Sequence, residues 1–200
     1  MKPDQTVWTA LRRATHERHE AIEALLQLHH PLPRDRYERI LGGFESFLRD
    51  WEPHLQAALP PELAAEAAAR SRLPFLRHDL QVLGLPRRED RPCSLAARLP
   101  LPDLAAALGS QYVLEGSALG GQLVARQLAA NLGLSPQSGA AYFHGWGEDT
   151  GRHWKQFRTR LDAHVPPEGP ACDRACEAAS RTFDLLIDTF TPLLHEPVAC

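Results

Sequence analysis

Tyr112-Val-Leu-Glu-Gly-Ser-Ala-Leu-Gly-Gly-Gln-Leu-Val124 decides how the rest of the chain is read. It lies inside a run from Leu101 to Leu132 whose Ala, Leu, Val and Gln content favours helix, yet it holds Gly116, Gly120 and Gly121 in the helix interior. Each such glycine costs about 1 kcal/mol relative to alanine. Gly116 and Gly120 are four apart and share one face, which Val113 and Val124 extend by a turn either way. A helix bare along one face lets a flat molecule lie against its backbone, or lets a second helix pack close. A kink at Gly120-Gly121 is compatible with either.

Outward from this stretch the helical period recurs on both sides. Over 4–28, Leu11, Thr15, Ile22 and Leu26 follow one stripe, with Trp8 and Leu25 beside it and His19 on it. After His29-His30-Pro-Leu-Pro, the residues Tyr37, Ile40, Leu41, Phe44, Leu48, Trp51 and Leu55 mark a second helix, which Pro53 is expected to bend or end. Residues 61–70 read as an Ala-rich third helix, 73–83 as a short fourth, and the Arg- and Pro-rich 84–100 as a loop. Beyond the glycine-bearing helix, 133–147 is looser. Trp154, Phe157 and Leu161 then mark a helix over 148–164, with Arg158 at the margin of its stripe. Pro170 opens a last helix that turns Ala179, Phe183, Leu186, Ile187, Phe190 and Leu194 inward. No stretch alternates with period two, and no segment repeats. The expected fold is all-α: one domain over 1–200, a helical bundle of about seven helices centred on the first, the glycine-bearing and the last.

Composition narrows the function. Two hundred residues with 44% hydrophobic content suffice for one sizeable core. The 22 basic and 25 acidic residues are mixed along the chain and leave a formal net charge of -3, so neither nucleic acid nor an anionic membrane surface is an expected partner. No apolar run approaches membrane-spanning length and the opening residues lack the apolar core of a signal peptide, so the expected location is cytoplasmic. Cys172 and Cys176 share a helix face without zinc-type spacing, and Cys93 and Cys200 stand apart; reduced thiols are expected. There is no His-Glu-x-x-His, no Glu-x-x-His of a di-iron bundle, and no strand before Gly116-Ser117 to make a nucleophile elbow.

His19 has the more specific neighbourhood. Glu23 follows at i+4, where it can accept the proton of the ring nitrogen that faces away from a metal and so strengthen the imidazole as a donor. Arg12 lies seven residues earlier on the same side, about 10 Å along the axis. One helix face thus offers an iron ligand and, a ring's breadth away, a cation for a carboxylate.

Taken together, the segment Leu11-Arg-Arg-Ala-Thr-His-Glu-Arg-His-Glu-Ala-Ile-Glu23 and the segment Tyr112 to Gln122 resemble the proximal and distal helices of haem oxygenase, most of all the bacterial members that make biliverdin for bacteriophytochromes. Phe75 to Gly84, the Phe143 to Phe157 region, and Phe183 with Phe190 extend the resemblance over nearly the whole chain. It implies that His19 is the proximal iron ligand and Glu23 its hydrogen-bond partner. Gly116 and Gly120 would bring main chain onto the haem face, with Gly121 supporting the bend. Arg12 and Arg158 match basic positions that hold propionates, while Phe183 and Phe190 match apolar contacts to the macrocycle. Thr15, on the stripe of His19, belongs to the same implied haem-binding set. Ser117 stands where the animal enzymes carry a distal aspartate; its hydroxyl can anchor water but holds no negative charge. Tyr112 is displaced by one position from the family's tyrosine, with Gln111 in its place.

The implied reaction uses haem as both substrate and cofactor, consumes dioxygen and reducing equivalents, and yields biliverdin, carbon monoxide and ferrous iron, with the catalytic burden on Ser117, Gly116 and Gly120. The resemblance further implies a ferredoxin- or flavodoxin-type reductant, an apo-bacteriophytochrome as biliverdin acceptor, and cleavage at the α meso carbon. Two alternatives stay open. One is a non-catalytic haem carrier or sensor on the same fold, suggested by Ser117. The other is a helical interaction module in which the glycines pack helices and His19 is structural.

Overall fold

Thr6 opens the first helix: its hydroxyl accepts the Thr9 amide while the Thr9 hydroxyl accepts the Thr6 amide. Helix α1 then runs Val7–Leu26, with Val7, Leu11, Thr15, Ile22 and Leu26 as its buried stripe. The structure is a computed structural model and describes residues 6–86 and 98–195. The opening residues 1–5, Cys93, Cys200 and most of the expected 84–100 loop lie outside the described residues. After α1 come α2 (Arg34–Ala58), α3 (Pro61–Ala69), α4 (Leu73–Val82) and the glycine-bearing α5 (Leu104–Leu132). A single helical turn (Ala141–His144) and a 3-10 turn (Gly147–Asp149) lead into α6 (Thr150–His164) and α7 (Pro170–His195). Among the described residues there is no strand, and the all-α expectation of about seven helices holds.

The boundaries follow local chemistry. Asp103 caps α5 by accepting the Ala106 amide, and Gly133 ends it in a left-handed conformation. Pro53 does not end α2, which continues five residues beyond it to Ala58. The ring lies on the exposed face, while Trp51 and Leu55 on either side are anchored in the core. Their burial holds the helix through the missing hydrogen bond.

The last helix is the spine. It makes the most extensive contacts in the molecule, with α5 on one side and α1 on the other, whereas α1 and α5 hardly touch each other directly. Close approach of α5 to α7 needs Gly109, because a Cβ there would lie 2.1 Å from the Ala175 carbonyl oxygen. Beside this crossing a buried chain of donors ties three helices together. The Trp51 indole donates to Ser110 Oγ at 2.9 Å, Ser110 lies 2.8 Å from Thr182 Oγ1, and Thr182 donates to the Ala178 carbonyl. On the other flank a Cβ at Gly43 would lie 2.3 Å from the Phe190 ring, so α2 and α7 interlock there.

The stretch after α5 is pinned from two directions. The Tyr37 hydroxyl donates to the Gly139 carbonyl at 2.6 Å. The fully buried Asp79 carboxylate accepts the amides of Ala141 and Tyr142, 2.8 Å each, at the start of the single turn. Burial pushes the Asp79 carboxyl above its ordinary range even though those two amides pull it down. Tyr142 and Phe143 are thereby set against α5.

Candidate functional site

On α1 the buried stripe has a gap. Thr15 is 2% exposed and Ile22 7%, but the His19 side chain between them is 54% exposed. An open position between two buried ones on one helical face looks into a cavity. That cavity has a volume of about 500 Å³ and occupies the space between α1 and α5. It falls within the roughly 300–1,000 Å³ of small-molecule sites. His19 Nδ1 lies 3.6 Å from Glu23 Oε2, which leaves Nε2 as the free nitrogen, and its ring meets Phe183 edge-on at 5.9 Å. The other Glu23 oxygen lies 3.4 Å from His29 Nε2, so this carboxylate is held between two imidazoles.

Part of the wall contributed by α5, at Gly116 and Gly120, is main chain. A Cβ at Gly120 would meet nothing within 4 Å, and one at Gly116 would reach only the Trp154 ring at 3.8 Å. Neither glycine is needed for helix packing, although together they cost the helix about 2 kcal/mol. Gly121 differs: a Cβ there would lie 2.6 Å from the Phe143 carbonyl oxygen, so it is bare because the single turn packs on it. The Gln122 side chain strengthens that seam by donating to the His144 carbonyl at 2.6 Å.

One end of the cavity is basic and aromatic. Trp8 lies under two guanidiniums, that of Arg158 at 4.5 Å and that of Arg12 at 5.8 Å. Among the described residues neither arginine has a carboxylate partner, and Arg158 Nε is buried without any. Tyr112 stacks at a tilt on Trp154, 5.9 Å away. Burial raises the Tyr112 phenol above its usual value, with the Thr15 hydroxyl and the Arg12 charge acting the other way.

The serine on the bare face is tied to a cation. Arg72 is 7% exposed, and its Nη2 donates to Ser117 Oγ and to the Leu114 carbonyl, both at 2.8 Å, while its guanidinium covers the Tyr142 ring at 4.9 Å. Ser117 directs its own proton to the Leu114 carbonyl at 2.8 Å. The hydroxyl therefore meets the cavity as an acceptor backed by a positive charge. Sequence reasoning passed over Arg72. One signal was available: Arg72 is the residue that caps the N-terminus of α4, the positive end of that helix, where a cation is electrostatically misplaced. A residue that violates a local rule calls for a tertiary partner.

Of the residues singled out from sequence, Arg12, Thr15, His19, Glu23, Tyr112, Gly116, Ser117, Gly120, Gly121 and Phe183 all line this one cavity. Arg158 reaches its rim through Trp8. Phe190 is elsewhere: it is fully buried and packs on Phe44, 4.8 Å between centroids, and on Gly43, filling the α2–α7 interface. Trp8, Phe44, Arg72, Tyr142, Phe143 and Trp154, with the titratable His16, Glu20 and His29, are among the other residues that line it and were not assigned to it from sequence. The disposition suits a flat, largely apolar guest with an anionic edge and an atom that takes one nitrogen ligand. Haem meets each requirement. Among the described residues no group of three or more His, Cys, Asp or Glu is arranged to hold a metal ion; His16, His19 and His29 all line the cavity, and of these His19 is the one whose ring packs edge-on against Phe183.

Comparison with known proteins points the same way. The chain is 34% identical over 142 residues to a heme oxygenase of Xanthomonas campestris pv. campestris, covering 69% of this chain and 74% of that one. It is 32% identical over 184 residues to heme oxygenase PigA of Pseudomonas aeruginosa, covering 90% and 91%. Its fold is similar to that of the heme oxygenase of Neisseria meningitidis solved with NO and CO bound, with a TM-score of 0.77 at 23% identity over 98% of this chain and 95% of that one. The model of the family described as "Heme oxygenase" matches residues 5–192, and the chain belongs to that family of haem-degrading enzymes.

Proposed function

We propose that the protein cleaves haem to biliverdin, carbon monoxide and ferrous iron, with dioxygen and an external reductant as the other inputs. The observation that carries this reading is the cavity with His19 on one wall and the unpacked main chain at Gly116 and Gly120 on the other. Haem, when bound, supplies the redox chemistry and is itself the substrate. The protein holds, orients and protonates.

His19 would hold the iron through Nε2, and Glu23, 3.6 Å from Nδ1, is the carboxylate placed to bias its tautomer. Arg12 and Arg158, both over the Trp8 ring and without a carboxylate partner among the described residues, would hold the propionates. Phe183 braces the imidazole edge-on and supports the macrocycle. Gly116 and Gly120 leave the α5 backbone open to the cavity and would let the macrocycle lie close to it, which would restrict the meso edge that reacts. Ser117, held by Arg72, presents a lone pair to a water in the cavity and orients its protons.

A ferredoxin- or flavodoxin-type donor, the α isomer as product, and transfer of biliverdin to an apo-bacteriophytochrome complete the reading. Among the described residues no helix is long and apolar enough to cross a membrane. Haemin titration should give a histidine-ligated spectrum, and addition of reductant should turn the sample green with release of carbon monoxide. Bound haem that only bleaches, with neither bilin nor carbon monoxide, would instead favour a carrier or sensor. Chromatography of the bilin identifies the isomer.

A further inference from the structure

The two bare glycines of α5 do not face the same surroundings. A Cβ at Gly120 would meet nothing within 4 Å, whereas one at Gly116 would reach the benzo edge of the Trp154 indole, Cζ3 and Cη2, at 3.8 Å. Trp154 comes from α6 and lines the cavity. The strip of open main chain is therefore fenced at Gly116 by a side chain of another helix and unobstructed at Gly120.

Trp154 is held in this position. Its ring stacks on that of Phe157, with 5.8 Å between centroids and 25° between planes, and Phe157 is fully buried. Tyr112 of α5 meets the same indole at a tilt, 5.9 Å away. Phe157 and Leu161, both fully buried, supply the core contacts of α6, while Trp154 stays half-buried with its far edge toward Gly116.

The fence stands at the basic end of the cavity. Arg158 follows Trp154 by four residues, which makes the two neighbours on one face of α6, and its guanidinium lies over Trp8. Arg12 shares the Trp8 ring, and its charge acts on the Tyr112 phenol. Tyr112, Gly116 and Gly120 follow one another at successive turns of α5, so this face runs from the basic end, past Trp154, to the open end.

We propose that Trp154 is a specificity-determining residue for ring opening. The inference rests on the haem-cleaving reading. A macrocycle seated with its propionates at Arg12 and Arg158 has its propionate-bearing half beneath the indole edge and its opposite half beneath main chain alone. Trp154 takes up the space over the first half, and the room for dioxygen to reach a meso carbon lies on the Gly120 side, opposite the propionates. That is the α edge.

The test uses the full chain as wild type, Trp154→Leu and Trp154→Phe. The first probe is gallium(III) protoporphyrin IX, a diamagnetic and redox-inactive stand-in for haem. Proton NMR of its wild-type complex should show the Trp154 indole in contact with protons of the propionate-bearing half and not with the meso proton opposite it. These contacts should vanish in Trp154→Leu. With haemin and reductant, the share of isomers other than the wild-type product should rise about tenfold in Trp154→Leu, and Trp154→Phe, which keeps a ring on Phe157, should restore most of the selectivity. An unchanged isomer ratio in Trp154→Leu, or a bound porphyrin that the wild-type indole does not touch, overturns the proposal. If Trp154→Leu does not fold, the wild-type contacts and the smaller isomer shift of Trp154→Phe decide. Failure of the wild type to take up either porphyrin would defeat the functional reading instead, so the two failures are distinguishable.

Discussion

Gly109 and Gly121 stand on α5 where a neighbour's main chain takes the place of a side chain; Gly116 and Gly120 stand on the same helix where nothing does. All four weaken the helix by a similar intrinsic amount. At the first pair the cost is offset inside the protein, by the crossing with α7 and by the turn at Phe143. At the second pair no close packing within the protein offsets it, and the proposed guest would. The same contrast appears on α1, where Thr15 and Ile22 close against the core and His19 does not.

The largest effect expected from this contrast is at His19. Replacing it by alanine should abolish the histidine-ligated spectrum on haemin titration, while the melting temperature of the apoprotein stays close to wild type because the ring is half exposed. Gly109→Ala should do the opposite. Its Cβ has no room against Ala175, so the fold should lose about 1–3 kcal/mol in urea melts while the folded fraction still binds haem. A Gly109→Ala variant as stable as wild type would show that the α5–α7 crossing is looser than described.

Smaller effects sharpen the picture. Trp8→Ala should loosen the seat of Arg12 and Arg158 and weaken haem binding, but leave binding of haem dimethyl ester little changed, since the ester lacks the anionic edge. Equal weakening for both ligands would remove the propionate assignment. The smallest effect concerns Glu52. Because burial raises its pKa in the folded state, the folded protein binds that proton more tightly than the unfolded one. The contribution favours folding below the unfolded pKa and is lost as pH rises through the folded value. Glu52→Gln should therefore melt slightly higher than wild type at neutral pH, and the gap should close on acidification. A variant less stable than wild type at neutral pH contradicts the assigned direction.

Most of the fold was legible because helical period survives in a single sequence: the stripes of α1, α2 and α7 are the buried faces observed. The site was legible where its residues share a helix with a readable face, as His19 with Glu23 and Gly116 with Gly120. It was not legible where partners come from distant segments. Arg72 acquires its role from Leu114, Ser117 and Tyr142, none of them near it in sequence. Phe183 and Phe190 lie seven residues apart on one face of α7, and period alone cannot separate them. Gly43 of α2 draws Phe190 into the core and leaves Phe183 to the cavity. Pro53 was read by its usual effect, which the burial of Trp51 and Leu55 overrides.

The most direct measurement is haemin titration of Gly120→Leu beside thermal melting of its apoprotein. Nothing in the protein lies within 4 Å of a Cβ at that position, which faces the cavity, so the apoprotein should melt at or above the wild-type temperature, and haem affinity should collapse. Wild-type haem affinity in this variant would contradict the account, as would an apoprotein that loses stability, because the bare face of α5 would then serve the fold and not a guest.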